Sequence, residues 1–190
     1  LRHPPVGYAI VYEFAAPGPY DSLIKSLMST SRILSVLGFH VLAARLRPDY
    51  TFRRRSFIAE FLLGYAASWL VMPEIHEGIH AAALWLYTGE RPELSMKFGA
   101  DYWTAAAPDW YFPRGAYRVI GLGPLILLTV PPLLALPTVP RSLLSLLCFL
   151  AGRNVSASVL DMFIEWQLSR RPASYLNFTG KVVAIWQPHE

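Results

Sequence analysis

In 190 residues the chain is 54% hydrophobic and 14% aromatic, with only 16% charged residues. Soluble domains usually carry about a quarter charged residues, so this composition points to a membrane protein of one compact unit, 1–190. The net charge of +4 is modest and no basic stripe is interleaved with aromatics, which argues against nucleic acid as a partner.

Residues 1–31 are mixed and Pro-containing (HPPVGY, APGPYDS), and read as an extended or loop segment. Residues 32–46 are helical in pattern, but their apolar core is short of the roughly 20 residues that cross a bilayer. They read as an interfacial or packed helix. Arg53-Arg54-Arg55 stands just before an apolar segment, where a membrane-flanking anchor is expected.

Residues 57–88 form one long apolar stretch, helix A, which tilts or kinks at Pro73. Residues 89–118 are a polar insertion. There Leu94, Met96 and Phe98 alternate with polar residues, and Gly99-Ala100-Asp101 offers a turn before Tyr102-Trp103-Thr104, so a small β-hairpin is expected. Residues 119–137 form a second span, helix B, and 142–168 a third, helix C. The tail is polar and ends in strand-like KVVAIW. The fold class expected is therefore an all-α membrane protein. It has about three transmembrane helices with a core at 57–168, an interfacial N-terminal helix and a hairpin insertion. Lys and Arg number nine on the side holding 1–56 and the B–C loop, and seven on the other. That balance selects no orientation. Cys148 is a lone cysteine in an apolar run and reads as a core residue.

The informative stretch is PEIHEGIH, residues 73–80, placed between GYAASWLVM and AAALWLY. Burying ionisable groups in so apolar a segment costs several kcal/mol unless they pair, coordinate or neutralise. His76 and His80, at i and i+4, lie one turn apart on a single helical face, where both rings reach one metal ion. Zinc accepts neutral imidazole nitrogens, and Glu77 beside the first ligand suits a general base. A hydrolytic zinc site usually takes a third protein ligand. Helices A and C run in the same direction, with His76 and His80 12 and 8 residues before Thr88 and Asp161 7 residues before Leu168. Asp161 thus falls within a turn or two of His80 in depth. Glu165, one turn further, is the competing carboxylate, and a pairing with Arg153 is the competing role for Asp161.

Asn154, seven residues before Asp161, suits contact with substrate backbone or bound water, or a helix–helix hydrogen bond. Arg153 suits an oxyanion or a pairing with Asp161. Glu74 points away from the ligand face, Asp101 and Asp109 suit solvated loops, and His40 reads as a packed histidine. His3 and His189 are terminal. Gly121-x-Gly123-Pro124 reads as a close-packing and kink device. The hairpin suits strand addition by an unwound peptide.

The pattern resembles the intramembrane metalloproteases of the site-2 protease class and, more narrowly, the family named "putative zincin peptidases". The resemblance rests on His76-Glu77-Gly78-Ile79-His80, Gly123-Pro124 and Asn154…Leu160-Asp161, and spans about 57–168. It implies His76, His80 and Asp161 as zinc ligands, Glu77 as base, and cleavage of membrane protein or peptide substrates in or beside the lipid bilayer. In the site-2 class a Gly usually follows the aspartate and a Pro lies between the Asn and the Asp. Here Met162 follows, and residues 154–161 hold no Pro. The competing function is a non-catalytic metal-binding membrane scaffold, or a transport or assembly component. Such a protein needs the ligands but not Glu77.

Overall fold

The computed structural model describes residues 1–15, 20–50, 54–96, 103–171, 174–179 and 182–188. Lys97–Tyr102, Arg53 and His189 lie outside them, and with them the expected hairpin turn, Asp101 and part of the basic anchor. In chain order the elements are β1 (Tyr8–Ala15), α1 (Asp21–Leu46), α2 (Arg54–Thr88), β2 (Glu93–Met96), β3 (Trp103–Ala106) and β4 (Tyr111–Pro113). Then follow α3 (Arg114–Ala135), α4 (Arg141–Ala157), α5 (Val159–Ser169), β5 (Tyr175–Phe178) and β6 (Val182–Pro188).

Four helical stretches are long and apolar enough to cross a membrane: α1, Ile58–Thr88 of α2, α3, and Arg141–Ser169 across α4 and α5. Their outward residues are apolar. Leu63, Leu70, Leu86, Val119 and Leu134 are between 71% and 88% exposed, a surface that water disfavours and lipid accepts. Helix α1 departs most from the sequence reading. It starts at Asp21 and runs 26 residues, not the short interfacial helix expected over 32–46. Its polar N-terminal half stays helical because its hydroxyls bond along or across helices: Ser31 Oγ donates to Met28 O at 3.1 Å, and Ser35 Oγ to Gly152 O at 2.9 Å.

The chain packs as two compact units, with boundaries inside continuous helices. One comprises Ile24–His76 and Pro124–Val159, and it is helical. In it α1 and α4 meet through small residues. A Cβ on Gly152 would stand 2.5 Å from Val36 Cγ2 and 2.8 Å from the Val36 backbone nitrogen, so only glycine permits this approach. Ser156 Oγ donates to Met28 O at 2.7 Å alongside. Ala43, Tyr50, Leu136, Leu144 and Cys148 form a core cluster, with Cys148 buried as expected. His40 is a packed histidine, its Nδ1 2.8 Å from Val36 O and its Nε2 3.4 Å from Ser145 Oγ. Gly152→Ala should cost about 1–3 kcal/mol by overpacking, lowering Tm by several degrees. Thermal unfolding of the purified protein in detergent measures it.

The other unit comprises Leu1–Leu23, Glu77–Gly123 and Leu160–Glu190. Its sheet, in the order β1-β6-β5-β4, is antiparallel throughout, and β2 pairs with β3 in a separate two-stranded sheet. The strand-like tail thus becomes β6, paired with β1 from Tyr8↔Pro188 to Ala15↔Val182. Phe112, Leu176 and Ile185 bury one face. The hairpin expected near 94–104 is β2–β3, in the register Leu94↔Ala105.

Candidate metal centre

Helix α2 is uninterrupted over 35 residues despite Pro73, so His76 and His80 stand one turn apart on one face. Both are buried, at 4% and 9% exposure, while Glu74 turns outward. A buried imidazole must place both of its nitrogens. His76 Nδ1 lies 2.9 Å from Asn154 Oδ1. The asparagine cannot be reversed, because its Nδ2 donates to the Pro124 carbonyl at 2.9 Å and to Thr129 Oγ1 at 3.0 Å, and a carbonyl only accepts. Asn154 therefore presents an acceptor and His76 Nδ1 donates the proton, which leaves Nε2 as the metal-binding nitrogen.

His80 reaches the same state by another route. Its Nδ1 lies 3.0 Å from Ile120 O. In a helix that carbonyl would accept from residue 124, but Pro124 has no N–H. The proline frees an acceptor and the histidine ring takes it. Both rings are thereby fixed in the tautomer that turns Nε2 outward, the arrangement in which metal-binding histidines are held by outer partners. His80 Nε2 faces Asp161 Oδ1 at 3.5 Å. Two donors of one tetrahedral zinc, at bonds of about 2.0–2.1 Å, lie about 3.4 Å apart. One ligand atom each from His76, His80 and Asp161 lie within 4.8 Å of one another. The donor set of two neutral imidazoles and a carboxylate fits zinc.

The competing carboxylate is used elsewhere. Glu165 Oε1 accepts from Arg118 Nε at 2.7 Å, and Arg118 Nη2 lies at the same distance. Among the described residues the group that could hold a metal contains Asp161 and not Glu165. Glu77 Oε2 accepts a hydrogen bond from the Ala105 backbone N–H of β3 at 3.0 Å. Ala105 therefore turns its N–H away from β2, and Glu77 is held against the outer edge of the hairpin. Arg153 stacks on Trp69, its guanidinium carbon 3.5 Å from the ring centroid. Asn154 makes helix–helix hydrogen bonds to His76 of α2 and to Pro124 and Thr129 of α3, the second of the two roles that the sequence suggests. The residues that sequence reasoning missed are Ile120 with Pro124, Thr129, Ala105 and Arg118. Only Pro124 carried a signal: a proline inside a helix frees the carbonyl four residues earlier.

The family described as "Putative zincin peptidase" matches residues 69–176, more than half of the chain. The chain belongs to that family. The match covers the histidine turn, both outer partners and Asp161, so the zincin description and the metal-binding geometry fall on the same residues. Neither a curated protein nor a solved structure matches this zincin-family chain.

The Pro124 arrangement makes a prediction with two opposite signs. Pro124→Ala supplies an N–H that competes with His80 for Ile120 O. Zinc affinity should fall at least about 10-fold, the scale of losing a ligand's outer partner. Stability should hold or rise, because a proline is removed from a helix interior. Competition with a zinc chelator and a thermal scan read the two effects separately.

Proposed function

We propose that this zincin-family chain is a membrane-embedded zinc endopeptidase that cleaves membrane protein or peptide substrates. The observation that carries the reading is the pair of fixed tautomers, which leave two Nε2 atoms for a metal in a group whose ligand atoms, with one from Asp161, lie within 4.8 Å of one another, beside a glutamate held in place. His76, His80 and Asp161 would hold the metal. When bound there, zinc supplies a Lewis acid that polarises a peptide carbonyl and acidifies water. Glu77 takes the proton of the attacking water and returns it to the leaving amine. The Ala105 N–H orients one of its carboxylate oxygens. The apolar surfaces of the four long helices support a bilayer setting, and burial of the histidine turn keeps bulk water from the site. A transmembrane substrate must unwind there, because a helix hides its carbonyls in its own hydrogen bonds. The outer edge of β3 suits the extended strand that results. The test is cleavage of membrane-protein substrates by the purified full chain in lipid. Inhibition by a zinc chelator and restoration by zinc are expected, and chelator-insensitive cleavage contradicts the reading.

A further inference from the structure

Glu74 is exposed in the middle of an apolar helix. Ile58–Thr88 of α2 runs 31 residues and has its midpoint at Pro73. At 1.5 Å per residue that is about 45 Å. Centred in a hydrocarbon core about 30 Å thick, the span holds Glu74 near the midplane, too deep for its short side chain to reach either surface. Its surroundings on the helix are apolar: Leu63 and Leu70 are 71% and 72% exposed, and Trp85 60%. Among the described residues no hydrogen bond or ion pair engages Glu74, and the metal group does not include it. Arg32 and Arg153 stack on Trp69, which shares the His76 face of α2 and so lies on the far side of the helix from Glu74. A carboxylate in hydrocarbon costs several kcal/mol unless it pairs, coordinates or is neutralised.

Gly78, one turn further on the same face, says how closely a partner can come. It is exposed, and a Cβ built on it would meet nothing within 4 Å. No contact among the described residues requires a glycine there, and a glycine inside a helix costs about 1 kcal/mol relative to alanine. Small residues on a membrane helix let a second backbone approach closely. The carboxylate then decides what that second helix carries. A second copy of this chain, meeting the face around a twofold axis, would set Glu74 against Glu74, and two carboxylates repel. A basic side chain at the same depth pairs with it instead. We infer that the Leu70–Glu74–Gly78 face of α2 docks a transmembrane helix of a partner protein that carries Lys or Arg near its midpoint. The inference rests on the bilayer setting and not on the chemistry of the metal group.

The test uses the full chain in phosphatidylcholine vesicles, with the Glu77→Gln substitution so that no probe is cut. The probes are labelled Leu/Ala transmembrane peptides, long enough to span, that differ in one central residue, Lys or Met. Binding is read by energy transfer to a label on the protein. The Lys peptide should bind at least about 10-fold tighter than its Met twin, the size of a charge-assisted hydrogen bond. Moving the Lys two turns from the centre should remove that preference. Glu74→Gln should erase it, and Glu74→Lys should transfer it to a peptide with a central Glu, which a misfolded variant would not do. Equal binding of the Lys and Met peptides overturns the docking face, as does a Lys preference that survives Glu74→Gln. Energy transfer between two labelled copies of the chain, lost on Glu74→Gln, would give the face to a second copy and overturn it as well. No readout uses turnover, so a Lys preference in a protein whose unsubstituted form cleaves nothing retains the face and removes only the peptidase reading.

Discussion

Glu77→Gln should leave the protein folded and zinc-loaded and slow peptide cleavage about 10²–10⁴-fold, the usual contribution of a general base. Glu77 accepts a backbone hydrogen bond from Ala105, which a glutamine carbonyl also accepts. Shape and the tether to β3 are kept, and basicity is lost. Because the three metal-binding groups are other residues, zinc content should be unchanged. A metal-binding scaffold has no use for a base there, so full biological activity in the Glu77→Gln protein would favour the scaffold. The assay is initial rate on one peptide for wild type and variant, with zinc measured on the same samples.

His80→Ala should have the largest effect on metal binding. It removes one of three ligand atoms and leaves the Ile120 carbonyl, already deprived of a helix donor by Pro124, without the imidazole N–H. Zinc affinity should fall more than about 100-fold, exceeding the loss expected from an outer partner alone. Stability reports the same event: a ligand at 100 times its Kd adds about 2.7 kcal/mol to the native state. Added zinc should therefore raise the Tm of chelator-stripped wild type and leave His80→Ala unmoved. Asp161→Asn, which keeps an oxygen but loses the charge, should fall between them. A Tm rise of equal size in all three proteins would place the zinc elsewhere.

Much of this arrangement is readable without coordinates. The His76–His80 spacing needs only helical geometry. Asp161 is reachable because helices A and C run parallel in direction, so residue counts convert to depth, and the 3.5 Å separation from His80 agrees with that reading. The same counting cannot separate Asp161 from Glu165, which lie one turn apart. Arg118 on α3 separates them by engaging Glu165, and pairing between residues 47 positions apart leaves no mark in local pattern. The four-stranded sheet is hidden for a similar reason. Strand β1 lies near one end of the chain and its partner β6 near the other, and neither extended segment announces its pairing. The sequence pattern cuts helix α1 short because Lys25, Arg32 and several hydroxyls break the apolar run, whereas its serines bond to helix carbonyls and stay compatible with a long helix.

Zinc content and coordination of the purified wild type bear most directly on the account. Elemental analysis with zinc-edge X-ray absorption should find one zinc per chain, bound by two imidazole nitrogens with oxygen completing the set at about 2.0–2.2 Å. Wild type that takes up no zinc, or a spectrum without imidazole that is the same in His76→Ala and His80→Ala proteins, would contradict it.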